Sequence, residues 1–502
     1  MAIASCQLLA LLLLLTTTYI SAASHPGGLR LGPIRRPLIQ KSSLQSTEIP
    51  PEYETHYYTQ TLDHFNYYPK SYATFQQRYI LNFKYWGGAN TSSPIFFYAG
   101  EEADILGDVL YVNFIADLAA RFKGLLLYVE HRYYGESFPF GSNRETYQNG
   151  STLGYLSSEQ ALADYAQVIT DVKKNLSALN SPVIAVGASY GGMLASWFRL
   201  KYPHIIIGAL ASSAPILYFE DITPQHGYHA VASRDFRNTS ESCYNTIKQS
   251  WSEIDRVAAE TNGLVTLGNI FNACTPLNSS QELKDYLTII YLVSAQYDNP
   301  PDYFVENLCK AIDGAPQGTD VLARIAVGLN ASIIFGQGSC HYIVEPETVY
   351  RQSSWSWQTC TEMVIPRGVD TNETMFEFSP FDLNKFTKAC QEVFGITVIP
   401  RPGWAPVQYG GRNIKSALEN FASNIIFSNG FRDPWSAGGI LKDISDTVVA
   451  IHTDQGAHCL DVLSPNATSD PAWLLAQRDK EIQVIAFWLA EYYAKLATNT
   501  AN

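Results

Sequence analysis

The stretch Val183-Ile-Ala-Val-Gly187-Ala-Ser189-Tyr-Gly191-Gly-Met193 decides how this chain is read. An apolar strand runs into Gly-x-Ser-x-Gly, and a helical pattern follows from Met193 to Tyr202. That succession is a nucleophile elbow. Glycines two residues either side of the serine permit the tight strand-to-helix turn that pushes Oγ outward and leaves it exposed, and the helix N-terminus helps to stabilise negative charge developing there. A serine hydroxyl attacks poorly until a base removes its proton. A histidine oriented by a carboxylate should therefore follow, in the chain order Ser, Asp, His.

Beyond Ser189 the histidines are His204, His226, His229, His341, His452 and His458. The carboxylate is expected in the loop after a late strand, and the strand pattern Asn424 to Ser428 breaks into Asn429-Gly-Phe-Arg-Asp433-Pro-Trp435. Asp433 is read as the orienting acid, although an Asp before Pro also commonly caps a turn. Of the two histidines left, His452 continues the strand pattern Thr447 to Ile451, where it packs or faces solvent. His458 follows Asp454-Gln-Gly456-Ala457, past the strand's carboxyl end, where ligands meet the chemistry in such folds, and is read as the base. For the oxyanion hole the donors are the N–H of Tyr190 and one from the loop after Phe96 to Ala99, at Glu101. His131 and Arg132, in Glu130-His-Arg-Tyr-Tyr-Gly-Glu136, read as braces of a strand-to-loop corner.

Working outward, apolar runs of strand length at Tyr79 to Tyr85, Ile95 to Ala99, Leu125 to Glu130, Val183 to Val186 and Ile207 to Ala211 alternate with helical patterns. Alternation of this kind indicates a parallel, doubly wound α/β sheet. Ser158 to Leu176 is the crossover helix before the elbow strand, with Ser158 as N-cap. Residues 218–418 change character: helical patterns dominate and cysteines gather. They are read as a cap domain inserted into a sheet domain made of 52–217 and 419–502, which closes with an amphipathic helix from about Pro471 to Tyr493.

Hydrophobic residues at 46% and charged residues at 16% exclude a disordered or coiled-coil chain, and a net charge of −13 without any basic stretch argues against nucleic-acid or anionic-membrane partners. Leu8 to Leu15, followed by Ser21-Ala-Ala23, reads as a signal peptide over 1–23, and residues 24–51 as a propeptide or extended arm. No later apolar stretch reaches the ~20 residues of a membrane helix. Sequons at Asn90, Asn149, Asn175, Asn238, Asn278, Asn330, Asn372 and Asn466 fit a glycosylated chain of the secretory pathway. Once Cys6 leaves with the leader, six of the seven remaining cysteines, Cys243, Cys274, Cys309, Cys340, Cys360 and Cys390, fall between positions 243 and 390. Without CxxC or His-rich spacing they read as disulfides rather than a metal site, with Cys459 left over and no cofactor expected.

Together, Glu130-His-Arg-Tyr-Tyr-Gly-Glu-Ser137, Ser158-Glu-Gln-Ala-Leu-Ala-Asp164, Gly187-Ala-Ser-Tyr-Gly-Gly-Met193, Ser428-Asn-Gly430 with Asp433-Pro-Trp435, and Gly456-Ala-His458 resemble the prolylcarboxypeptidase (S28) family of serine peptidases, from about Thr55 to Tyr493. The resemblance implies an α/β-hydrolase fold with an inserted helical, disulfide-containing cap (SKS) domain, and a triad at Ser189, Asp433 and His458. It places Met193 and Trp435 in an apolar pocket for proline, with Ile365 where relatives often carry Met. It also pairs Cys243 with Cys309, Cys274 with Cys340 and Cys360 with Cys390, and it admits a homodimer.

Three positions depart from the family pattern. The oxyanion loop reads Gly100-Glu-Glu-Ala103 instead of Gly-Asn-Glu-Gly, and the base loop Gly456-Ala-His458-Cys459-Leu-Asp461-Val-Leu463 lacks a second histidine and an arginine. No Cys occurs between Pro215 and Asp235, and Pro366-Arg-Gly368 stands where Pro-x-Cys is expected, so one disulfide is missing. The resemblance implies an exopeptidase that acts on proline-containing peptides, releasing a C-terminal residue after proline, in a vacuole or lysosome or outside the cell. A dipeptidyl peptidase, a serine esterase and a weakened hydrolase kept as a binding protein remain open beside it.

Overall fold

The computed structural model describes residues 49–141, 143–147, 150–332, 339–343, 353–466 and 468–500. The signal segment 1–23, almost all of the arm 24–51 and the sequon residue Asn149 lie outside these residues. The centre is an eight-stranded sheet of β1 (Glu54–Thr61), β2 (Thr74–Asn82), β3 (Ile95–Ala99), β4 (Leu125–Val129), β5 (Val183–Ala188), β6 (Gly208–Ser212), β7 (Ile425–Gly430) and β8 (Val448–Thr453). Its order is β1-β2-β4-β3-β5-β6-β7-β8. The β1–β2 and β2–β4 pairs are antiparallel, and every pair from β4 to β8 is parallel.

Strands β3 to β7 are buried at every residue, which is why they read as continuous apolar runs rather than alternating ones. Side chains nevertheless alternate between two cores. Ile95, Phe97 and Ala99 pack with Tyr165, Val168 and Phe198 from the helices Ser158–Asn175 and Tyr190–Lys201. Phe96 and Tyr98 pack on the opposite face with Ile115, Leu118, Ile485 and Trp488 from the helices Phe114–Phe122 and Ala472–Thr500. Helices on both faces of a mixed sheet, with the elbow at the end of β5, make this an α/β-hydrolase fold.

Beyond shifts of one or two residues at the other strand ends, the structure departs from the sequence reading in β1, in β2 and at the cap of the crossover helix. β1 was not expected, because an edge strand of sequence ETHYYTQT is largely exposed and has almost no apolar face to reveal it. β2 runs Thr74–Asn82 rather than Tyr79 to Tyr85. The crossover helix is capped by Ser157, whose side chain accepts from Gln160 N–H, while Ser158 is its first helical residue.

Between β6 and β7 the chain leaves the sheet. Among the described residues of 218–418 no strand joins it; there are helices and only the isolated bridges Ala273↔His341 and Val369↔Ser379. Disulfides join Cys243 to Cys309, Cys274 to Cys340 and Cys360 to Cys390. Where the missing disulfide would lie, Gly368 N–H donates to Gln225 O at 3.0 Å. A Cβ on Gly368 would sit 2.5 Å from Gln225 Oε1, itself bonded to Phe381 N–H, so a glutamine side chain fills the space a cysteine would use. A hydrogen bond between His226 Nδ1 and Asp370 Oδ1, 2.5 Å, ties the same two segments.

Candidate active site

Ser189 stands between the last residue of β5 and the first of the helix Tyr190–Lys201, at φ 56° and ψ −118°. A non-glycine residue in such a conformation costs about 1–3 kcal/mol and persists only where its surroundings over-determine it. Here Ser189 N–H is bonded to Ser212 O on β6 at 2.8 Å. A Cβ on Gly187 would lie 2.1 Å from Gly191 O, so the helix can start this close to the strand only over a glycine.

The ends of β7 and β8 bring up the other two groups. A Cβ on Gly430 would meet Gly456 O at 2.1 Å, which shows how tightly the two loops are pressed together. His458 Nε2 lies 2.8 Å from Ser189 Oγ, and its Nδ1 lies 2.7 Å from Asp433 Oδ2. Asp433 Oδ1 accepts from Trp435 N–H at 2.9 Å, so the same carboxylate caps the turn and holds the histidine. The geometry is compatible with both readings of the Asp-Pro dipeptide. His452 is exposed and stacks on Phe431 at 4.5 Å, away from this cluster.

The sequence led us to expect an exposed serine at an open site, and this is corrected. Ser189 and Asp433 are 0% exposed and His458 is 1% exposed. The cover comes from the insertion. His458 N–H donates to Gln296 O at 3.0 Å, and the Tyr297 ring meets the His458 ring edge-on at 6.0 Å, both from the end of the helix Ser280–Gln296. Arg432, next to Asp433, bonds Asp235 Oδ1 at 2.7 Å and pairs with Asp298, tying the acid loop to the same segment. Burial pushes Asp235 up to about 6, against the pull of Arg432. Neither Gln296, Tyr297 nor Arg432 was legible beforehand, because no local pattern announces a contact across more than a hundred residues.

Where the oxyanion donors were expected, Tyr190 opens the helix and Gly100 is fixed by its N–H to Val129 O at 3.0 Å and by Tyr165 O–H to its carbonyl at 2.7 Å. Glu101 and Glu102 follow, 1% and 3% exposed. The Glu101 side chain faces inward, its Cβ 3.5 Å from where a Cβ on Gly191 would stand. Cys459, buried and outside any disulfide, has its N–H bonded to Ser213 Oγ at 2.9 Å. Burial first, then Asp433 and Glu101, hold its thiol well above the ordinary range.

Met193 and Trp435 are fully buried, and half-buried Ile365 packs on the same apolar cluster. Tyr228 and Tyr218 meet Trp435 edge-on at 4.7 and 5.7 Å, and the Arg367 guanidinium stands 5.3 Å above its ring. The corner after β4 is structural: Arg132 grips Asp164 with Nε and Nη2 at 2.7 and 2.6 Å and caps the carbonyls of Leu62 and Thr61. Among the described residues no group of His, Cys, Asp and Glu is arranged to hold a metal ion.

The family model described as serine carboxypeptidase S28 matches residues 60–481. The lysosomal Pro-X carboxypeptidase of Homo sapiens is 38% identical over 97% of this chain and 98% of its own length, and that of Pongo abelii matches to the same extent. A thymus-specific serine protease of Mus musculus is 28% identical over 86% of this chain and 87% of its own length. A hydrolase sheet carrying a serine elbow, matched by that model and by full-length relatives, settles the assignment: this chain belongs to the serine carboxypeptidase S28 family.

Proposed function

We propose that the chain releases the C-terminal residue that follows a proline, through an acyl-enzyme on Ser189. The observation that carries this is the continuous, water-excluded hydrogen-bond line Ser189 Oγ, His458, Asp433. In this reading Ser189 Oγ attacks the scissile carbonyl carbon while His458 Nε2 takes its proton, and Asp433 steadies the imidazolium through Nδ1. The N–H groups of Tyr190 and Glu101 receive the oxyanion. On collapse, His458 returns the proton to the leaving amine; the same base then activates water, and deacylation frees the shortened peptide.

Met193, Trp435 and Ile365 form the slot for proline, whose ring brings no N–H in need of a partner. Arg367 favours the carboxypeptidase direction, because a guanidinium beside this slot suits the carboxylate at a peptide's C-terminus. Trp435 Nε1–H adds a buried donor with no partner among the described residues. A second reading, removal of an N-terminal dipeptide, is favoured by the paired carboxyls of Glu101 and Glu102 beside the elbow, which suit a terminal amine.

We read the compartment as the lysosome or vacuole, from the names of the relatives, the leader and the sequons. The seven described sequon asparagines, Asn90, Asn175, Asn238, Asn278, Asn330, Asn372 and Asn466, are all exposed, as glycan attachment requires. No described helix is long and apolar enough to cross a membrane. Mass spectrometry of a proline-containing peptide, blocked at one end and then at the other, tests the polarity. Amidation of the C-terminus should stop cleavage; inhibition by N-acetylation instead would establish the second reading.

A further inference from the structure

We propose that Gln358, on the insertion helix Ser354–Thr361, is a positioning residue for the nucleophile elbow and acts through the hydroxyl of Tyr190. The inference rests on the roles given above to Ser189 and to the N–H of Tyr190. Gln358 is completely buried, 168 positions away from Tyr190 in sequence. Its Nε2 donates to Tyr190 Oη at 2.8 Å and to Glu362 Oε1 at 3.0 Å, while its Oε1 accepts from Tyr134 O–H at 2.6 Å.

The direction of every bond in this chain is determined. Tyr190 Oη also lies 3.1 Å from His131 Nε2, and His131 Nδ1 lies 2.7 Å from Arg132 O. A carbonyl oxygen only accepts, so Nδ1 carries the proton. Burial pushes His131 down to about 4, so the ring is neutral and its Nε2 must accept from Tyr190 O–H. Tyr190 thus receives one hydrogen bond from the insertion and gives one to the corner that follows β4.

Its ring is further bracketed by Trp355 and His131, with centroids at 5.4 and 5.6 Å. The residue whose peptide N–H faces the oxyanion is therefore clamped at its far end by two separate parts of the molecule. An oxyanion donor works only when held in place to within a fraction of an ångström. Without Gln358, Tyr190 loses its insertion anchor and Tyr134 and Glu362 lose a partner, so the ring and the peptide bond attached to it can drift.

A double-mutant cycle on the full chain tests this with proline-containing peptides. Gln358→Met and Tyr190→Phe should each lower kcat about tenfold with KM changed less than about twofold, and each should weaken binding of a boronate transition-state mimic in parallel. The double variant should fall no more than about twofold below Tyr190→Phe, because removing the hydroxyl already removes the bond that Gln358→Met removes, together with the one to His131. Additive losses, about a hundredfold in the double variant, would overturn the proposal, as would a rise in KM with kcat intact. Should Gln358→Met fail to accumulate, Tyr190→Phe, which alters no residue of the insertion, decides alone: full retention of kcat overturns the inference. Ser189→Ala separates the two levels of argument. Activity in that variant would sink the functional reading itself, whereas an inactive Ser189→Ala with an additive cycle would sink only the role of Gln358.

Discussion

The sheet and the insertion are built on different physical terms. Strands β3 to β7 bury every residue, and the ends of β5, β7 and β8 carry Ser189, Asp433 and His458, the proposed nucleophile, acid and base. Among its described residues the insertion adds no strand to that sheet, is stapled by three disulfides, and contributes contacts to the cluster: Gln296 and Tyr297 over His458, Gln358 under Tyr190, Arg367 over Trp435. Chemistry thus sits on the part whose geometry is fixed by strand pairing. Closure over that cluster, with Ile365 and Arg367 beside Trp435, comes from a part held by side chains and covalent links.

The largest effect that would break this division concerns the acid. Asp433→Asn keeps the turn cap and the packing but holds the wrong tautomer of His458, and kcat should fall by about 10⁴, as in the analogous triad of another fold. A loss below tenfold, measured by steady-state kinetics, would mean that another carboxylate orients the base. Next in size is Arg367→Gln. If the insertion sets selectivity, this change should lower kcat/KM for free-acid peptides by about 1–3 kcal/mol while leaving small ester substrates nearly untouched. Equal losses on both would return Arg367 to a purely structural brace of Trp435.

How much of this division could be read from the chain follows from the same physics. Val183 to Ala188 with its glycines, Asp433 before Pro434, and His458 beyond β8 are local patterns, and local patterns survive in a sequence. The three side chains that the structure brings together were legible for that reason, as was most of the sheet. β1 escaped because an exposed edge strand has no apolar face to show. Ser189 was expected in the open because the elbow alone does place a serine outward; what covers it arrives from residues more than a hundred positions on. Gln358 and Arg367 carried no signal either, since a buried amide or a stacked guanidinium has meaning only beside its partner.

Smaller effects sharpen the comparison. The three disulfides close separations of 66, 66 and 30 residues. In the chain-entropy model each removes roughly 4 kcal/mol of unfolded-state freedom. Mild reduction should therefore speed hydrogen exchange across the insertion while β3 to β7 stay protected; uniform exchange in both would show that the two parts unfold as one.

Glu362, buried at the junction and bonded to Ser158 N–H and Oγ–H, is pushed up by burial to about 7. Because the folded state holds this proton more tightly than the unfolded chain, the stability it contributes is complete below about pH 4.5 and drains away as pH rises through about 7. The buried imidazoles His131 and His229, pushed down to about 4 and about 3, act in the opposite sense as pH falls below the usual histidine range. Comparison of the wild type with Glu362→Gln isolates the carboxyl. Relative to that variant, the wild type should lose stability between pH 5 and 7 in chemical denaturation; parallel curves would refute the assignment. Smallest of all, Cys459 should resist alkylation in the native enzyme, because its thiol is buried and its pKa is raised.

The central claim is that Ser189 is the nucleophile, and covalent labelling addresses it most directly. A fluorophosphonate probe applied to the folded enzyme, followed by peptide mapping, should place one adduct on the peptide bearing Ser189, with peptidase activity lost in step with labelling. Ser189→Ala should fold, take up no probe and release no product. An adduct on a different residue, or turnover that persists in Ser189→Ala, would contradict the account.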